Sequence, residues 1–157
     1  MTVADERLER LEAIEEIRRL KALYCHWADR GYEAAGDDAA EFAALFVEDA
    51  VWTGGKGVPV VGRAAIEHHY ASFRPFGMHY VTNGEIEVDV ASGRATGSWH
   101  VLSPQTSHDG RAVWIAGTYD EEYEKTADGW KFKRVQFGLA FRTPYEDGWA
   151  ATRRVDY

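Results

Sequence analysis

The groups in this chain best suited to moving protons are a carboxylate at the end of an apolar helical pattern, several tyrosines and six histidines. The stretch 17–29, IRRLKALYCHWAD, ends on Asp29 and carries Tyr24 and Trp27 among apolar neighbours. A carboxylate in the last helical turn meets the negative end of the helix dipole, which disfavours it by about 0.3–1 kcal/mol. Burial beside Leu23 and Trp27 adds to that unless the charge is paired. Asp29 is therefore either exposed, beside Arg30 or a solvent cation, or it accepts a hydrogen bond from a histidine ring. In the second case it fixes the tautomer and stabilises the imidazolium that forms when the ring takes a proton. The stretch 78–83, MHYVTN, offers His79, and GSWHV offers His100; both lie in strand-like runs flanked by large apolar residues. A strand histidine of this kind is either a structural residue or a base. His26, His68, His69 and His108 fall at helix or turn positions that read as surface. If the fold carries His79 onto Asp29, with Tyr24 and His100 nearby, the chain holds an acid–base site.

Other chemistries lack their signatures. There is no HExxH, no CxxC and no glycine-rich phosphate loop, and Ser98 in Gly97-Ser98-Trp99 lacks the second glycine of a nucleophile elbow. His68 and His69 have no third ligand at a suggestive spacing, so neither a metal nor a cofactor is expected. The net charge of −8, from 18 Lys and Arg against 26 Asp and Glu, gives no electrostatic footprint for a nucleic acid. Cys25 is the single cysteine, which excludes an intrachain disulfide and fits a reducing, cytoplasmic setting. It reads as a small core residue. The charged N-terminal stretch does not resemble a signal peptide, and no segment approaches the roughly 20 apolar residues of a membrane span.

The elements that would position these groups follow from periodicity. Leu8, Leu11, Ile14, Ile17, Leu20, Leu23, Tyr24 and Trp27 recur at helical spacing, predicting a helix over 5–29 that Gly31 ends. Asp38 and Glu41 form a capping box for a short helix burying Phe42, Leu45 and Phe46. Strands are expected at 50–53 and, as an edge because of Pro59, at 58–61; Ile66, Tyr70 and Phe73 mark a third helix over 63–73. Four long strand-like runs follow, 79–90, 94–102, 111–125 and 130–142, joined at Ser92-Gly93, Asp109-Gly110 and Asp128-Gly129. The expected class is α+β: a curved antiparallel β-sheet wrapped by N-terminal helices into a cone, in one domain over 1–157 with its core at about 8–145 and a tail at 146–157. In the second run Ala95, Gly97, Trp99 and Val101 share one face and His100 takes the other. In the last run Trp130 and Phe132 are out of phase with Val135, Phe137, Leu139 and Phe141, which predicts a bulge near Lys133-Arg134 and a bend that helps make a pocket.

The runs IEEIRRLKALYCHWADRG, ALFVEDAVW, GMHYVTNGEIEV, ATGSWHV and GTYDEEYEKTADGWKFKRVQF resemble the SnoaL-like branch of the nuclear-transport-factor-2-like superfamily over roughly residues 8–145. Within it the chain is most similar to cofactor-free lyases: scytalone dehydratase, bile-acid 7α-dehydratase and hexachlorocyclohexane dehydrochlorinase. The resemblance implies that Asp29 and His79 are the dyad aspartate and general base, that Tyr24 stands at an active-site tyrosine and that His100 stands at a second histidine. It places Trp52 and Tyr119 in the pocket lining; Trp27, Asn83 and Phe137 complete the candidate substrate-binding set. A further acidic residue of the bile-acid enzyme falls near Ser103, and the family arginine near the last strand has two candidates here, Arg134 and Arg142. The implied function is a cofactor-independent dehydratase or related β-elimination enzyme acting on a small aromatic or polycyclic substrate. An isomerase or hydrolase using the same pocket, a binding module and a dioxygenase-subunit-like module are the alternatives. A homo-oligomer, a trimer by analogy, is expected on the outer sheet face, where Trp99 or Trp114 would serve.

Overall fold

The chain was analysed as a computed structural model that describes residues 2–33, 35–72 and 75–153. Its elements run α1 (Val3–Ala28), α2 (Ala39–Ala44), β1 (Phe46–Thr53), β2 (Pro59–Val61), α3 (Arg63–Ala71), β3 (Tyr80–Asp89), β4 (Arg94–Thr106), β5 (Ala112–Thr126), β6 (Gly129–Pro144) and α4 (Gly148–Ala151). Helix α1 starts on a capping box in which Thr2 and Asp5 satisfy each other's backbone N–H. Asp29 is its C-cap residue. The buried stripe begins only at Ala13 and continues through Ile17, Leu20, Lys21, Tyr24, Cys25 and Ala28. Leu8 and Leu11 belong to the same helical pattern but stay exposed. Asp38 caps α2 by accepting from the N–H groups of Ala40 and Glu41. Phe73, the expected last apolar contact of α3, lies outside the described residues. No described helix is long and apolar enough to cross a membrane.

The α+β class and the N-terminal helices on a sheet stand as expected; the sheet is six-stranded, is mixed rather than purely antiparallel, and does not close into a barrel. Its order is β2-β1-β6-β5-β4-β3. Strands β3 to β6 form the expected meander, while β1 pairs parallel to β6 and carries β2 as an edge hairpin. Periodicity marks a strand but not its neighbour, so the parallel pairing of β1 with β6 was invisible in the pattern.

Of the four irregularities of register in the described sheet, three lie within the β3–β6 meander. Between β5 and β6, Glu122 pairs with Arg134 and Tyr123 with Phe132, leaving Lys133 as the extra residue. This is the predicted bulge, and it returns both Phe132 and Val135 to the buried side. A second bulge was not foreseen: Ala116 pairs with Phe141 and Gly117 with Leu139, leaving Ala140 extra. It resets the alternation, so Leu139 and Arg142 face inward. Phe141, expected to share a face with Leu139, instead packs against Trp149 of α4 with ring centroids 5.4 Å apart. In β3, Asn83 at φ 53° and Gly84 together lie opposite Trp99, between the pairs Thr82–His100 and Glu85–Ser98.

The core between helices and sheet is aromatic. Phe42, Phe46 and Phe132 are fully buried, each contributing about 1.5–3 kcal/mol by removal from water. Trp99, expected on the outer face as an association surface, is buried with Ala95 and Val101, as strand alternation requires, and its indole donates to Tyr123 at 3.1 Å. Trp114 is partly buried. Beneath the aromatics lies a charged pair, Lys21 Nζ to Glu121 Oε1 at 2.5 Å, both residues almost wholly buried. Tyr123 donates to the other Glu121 oxygen, and the ammonium sits 3.6 Å from the centre of the Tyr119 ring and 4.2 Å from that of Tyr24. Both charges are therefore paired, which burial demands.

Gly117 lets β5 pass close to the bulge: a Cβ there would lie 2.0 Å from the Gly138 carbonyl oxygen and 2.8 Å from the Phe137 ring. Gly117→Ala is expected to lower unfolding stability by about 1–3 kcal/mol through overpacking. Urea denaturation checks this, and an unchanged midpoint would contradict the close approach.

Candidate active site

The chain leaves α1 at Asp29 and is clamped at once to the segment before β3. Arg30 N donates to Gly77 O at 3.0 Å and Gly77 N to Arg30 O at 3.2 Å, while Gly77 also bridges Gln105 of β4. Met78 N donates to Pro104 O at 3.2 Å, and the Ser103 hydroxyl donates to the Met78 carbonyl. The two residues that follow and precede this clamp, His79 and Asp29, are thereby pressed together from positions 50 apart in sequence.

His79 Nδ1 lies 2.6 Å from Asp29 Oδ1, with the two side chains only 10% and 7% exposed. The other carboxylate oxygen accepts the Tyr32 hydroxyl at 3.1 Å. A carboxylate that only accepts makes Nδ1 the donor, and in a neutral ring that arrangement leaves the Nε2 lone pair free. The Tyr32 phenol is pushed up first by burial and then by the Asp29 charge, so it stays a donor to the carboxylate.

His79 opens onto a cavity of about 700 Å³ between the concave sheet face and the β1–α3 side. Trp52, Tyr119 and Phe137 form its aromatic walls, with Tyr119 and Phe137 ring centroids 5.4 Å apart. Tyr70, Ser103, Gln105 and Arg142 supply polar groups. Cross-strand register explains the floor: Trp99, Tyr119 and Phe137 form one row, Val101, Gly117 and Leu139 the next, and Ser103, Ile115 and Arg142 the third. Tyr24 lies one layer behind the lining. Its hydroxyl accepts from Trp52 Nε1 at 3.0 Å and sits 3.4 Å from the Tyr70 hydroxyl. Burial, with the neighbouring phenols, pushes the Tyr24 hydroxyl well above its ordinary range, and burial does the same for Tyr119. Both remain neutral hydroxyls at physiological pH.

Of the candidates read from sequence, the fold brings His79, Trp52, Tyr119 and Phe137 to this cavity, with Asp29 behind His79 and Tyr24 in the supporting layer. Three lie elsewhere. His100 is exposed on the outer sheet face, because its neighbour Val101 points into the cavity, and its ring nitrogen is 3.3 Å from Asn83 Nδ2. Asn83 is held on that same outer side by the bulge in β3. Trp27 is turned away by the helical rotation and packs against His26 and the loop at Gly36, whose N–H donates to His26 O at 2.9 Å. Between the two arginines, Arg142 lines the cavity, and Arg134 reaches Glu122 at 3.4 Å on the exposed face. His68 and His69 are exposed, with the His69 ring 5.0 Å from Trp52, and Cys25 is buried. Sequence reasoning passed over Tyr32, Tyr70 and Gln105. Only Tyr32, three positions after Asp29, carried a usable signal, since a phenol so placed reaches back to a helix-terminal carboxylate.

Burial raises the Cys25 thiol from 9.0 to about 12 and lifts Tyr24 and Tyr119 well above 10.0. These groups are neutral when protonated, so the unfolded chain loses its protons first. Stability is therefore complete below about pH 9 and falls as pH rises toward 12. Urea midpoints measured from about pH 8 to 11 should decline, less steeply in Cys25→Ala; a flat profile would contradict this burial.

The sequence profile of the SnoaL-like domain matches residues 9–136. No curated protein matches the chain. Among solved structures, a type 2 hexachlorocyclohexane dehydrochlorinase (LinA) superposes with a TM-score of 0.77 at 22% identity, over 88% of this chain and 92% of the other. The type 3 LinA of Novosphingobium barchaimii LL02 gives 0.75 at 24% identity, over 96% and 99%. A Novosphingobium aromaticivorans DSM 12444 protein, named provisionally as a scytalone dehydratase, gives 0.74 at 24% identity, over 94% and 95%. At these identities the superpositions establish a shared fold. With the profile spanning most of its length, the chain belongs to the SnoaL-like domain family.

Proposed function

We propose that this protein is a cofactor-independent lyase that eliminates water or a comparable leaving group from a small aromatic or polycyclic substrate. The observation that carries the reading is the His79–Asp29 hydrogen bond at 2.6 Å, with His79 on the wall of an aromatic cavity. Neutral His79 takes a proton from the substrate carbon through Nε2. Asp29 receives Nδ1–H throughout and stabilises the imidazolium as it forms; Tyr32 holds the second carboxylate oxygen in place.

The electron pair of the broken C–H bond forms the new double bond as the bond to the leaving oxygen breaks. The imidazolium returns its proton to that oxygen, which departs as water, so atoms and charge balance. Tyr70 and Tyr119 are the phenols that face the substrate, where they donate to oxygen as negative charge gathers on it. Tyr24, given the direct role by resemblance, acts from behind them, holding Trp52 and the Tyr70 hydroxyl. Activation of water by a carboxylate pair, as a hydrolase would require, finds no support in the lining, where no described residue is Asp or Glu.

Once a turned-over substrate is in hand, His79→Ala and Asp29→Asn should each lower kcat by about 10²–10⁴-fold with the fold intact. Steady-state kinetics alongside circular dichroism checks this. Unchanged turnover in either variant would sink the proposal.

A further inference from the structure

One buried cation takes no direct part in the proposed elimination. Lys21, on the buried stripe of α1, is 1% exposed, and its ammonium meets Glu121 of β5 at 2.5 Å. Among the described residues Glu121 is its only hydrogen-bond acceptor, although an ammonium carries three donors. The rest of its surroundings are ring faces. The centre of the Tyr119 ring lies 3.6 Å from Nζ and that of the Tyr24 ring 4.2 Å. Pairing with Glu121 explains how the charge tolerates burial. It does not explain the placement against two phenols.

The two members of the pair contact different parts of the molecule. Glu121 turns its second oxygen to the Tyr123 hydroxyl, which itself accepts the Trp99 indole N–H at 3.1 Å. Neither Tyr123 nor Trp99 lines the cavity, whereas Tyr119 does. The pair is neutral as a whole, yet the charge in contact with the Tyr119 face is the positive one. A cation on the face of a phenol is attracted by the electron density of the ring and draws that density from its oxygen, which makes the O–H a stronger donor. The same contact holds the ring. Tyr119 is fixed between the ammonium, the Tyr24 ring at 5.7 Å and the Phe137 ring at 5.4 Å. A donor already oriented when negative charge develops stabilises it without reorganisation.

We propose that Lys21 is a positioning residue of this site: held by Glu121, its ammonium fixes the Tyr119 ring and strengthens the hydrogen bond that this phenol donates to a substrate oxygen. The inference rests on the part given to Tyr119 in the lyase reading. The His79–Asp29 base does not depend on it.

The test uses 2-acetonaphthone, an aromatic ketone labelled with ¹³C at its carbonyl, and reads the carbonyl stretch of the bound probe by infrared difference spectroscopy. A stronger donor lowers that stretch. The wild-type complex should show its band below that of Tyr119→Phe. Lys21→Met/Glu121→Gln removes both charges together, so no buried charge is left unpaired, and its urea midpoint should stay near the wild-type value. Its band should move up toward the Tyr119→Phe position, a change that a purely structural pair would not cause. Lys21→Gln/Glu121→Gln, which keeps a hydrogen bond between the two positions, should show the same displacement. A wild-type band in either folded double variant overturns the proposal. Failure of both to fold assigns the pair to the stability of the core and also overturns it. Identical bands in the wild type and Tyr119→Phe overturn donation by Tyr119, and this inference with it, while the dyad is judged separately by the kinetics of His79→Ala and Asp29→Asn. A probe that does not bind the wild type overturns the ring-binding cavity on which both readings depend.

Discussion

The candidate site depends on satisfying both oxygens of a carboxylate where little water reaches it. Asp29 is 7% exposed at the end of α1, where both burial and the helix dipole work against the anion. His79 and Tyr32 offset that by donating to its two oxygens. The arrangement survives only because the backbone leaves the donor no choice of position. The Arg30–Gly77 ladder and its extension to Gln105 fasten the end of the helix to the start of β3, and Ser103 fixes the Met78 carbonyl beside them. Backbone hydrogen bonds on both sides hold Asp29 and His79 in place, which suits the proposed chemistry, for which the tautomer must be fixed.

The sheet then decides what faces the pair. Along β6 two extra residues, Lys133 and Ala140, reset the alternation twice. The first keeps Phe132 and Val135 on one side and so completes the core under Tyr24. The second exchanges Phe141 for Arg142 on the inner face, giving an aromatic cavity its charged end. Beneath both, Lys21 and Glu121 carry a neutralised charge pair through the core, with the ammonium against the faces of Tyr24 and Tyr119. Those rings support the cavity from below, so the paired charges stabilise the wall as well as the interior.

Much of this was legible from residue types. The N-cap at Asp38 (without the reciprocal Glu41 bond of a full capping box), the four long strands, the slip at Lys133 and the buried character of Cys25 all follow from local chemistry or from a period, and periods are properties of a single strand or helix. Three kinds of feature were not legible. The parallel pairing of β1 with β6 is non-local. The bulge at Ala140 has no marker in FGLAFR, since alanine fits an extended strand as well as an extra position. His100 was tied to the site by family resemblance, although the alternation of β4 already set it opposite Trp99 and Val101; where motif and periodicity disagreed, periodicity was the better guide. Trp99 shows the same lesson, since a large aromatic among inward positions belongs to the core. The meeting of Asp29 with His79 could be anticipated only through the resemblance, because nothing local in either segment encodes a contact across 50 positions.

The central claim is that Asp29 fixes His79 as the Nδ1–H tautomer with Nε2 free toward the cavity. Long-range proton–nitrogen correlation on ¹⁵N-histidine-labelled protein reads the tautomer directly, in the wild type and in Asp29→Asn. The account predicts a protonated Nδ1 and an unprotonated Nε2 for His79, with that state lost or mixed in the variant. A wild-type His79 protonated at Nε2, or an averaged tautomer that ignores the substitution, would contradict it.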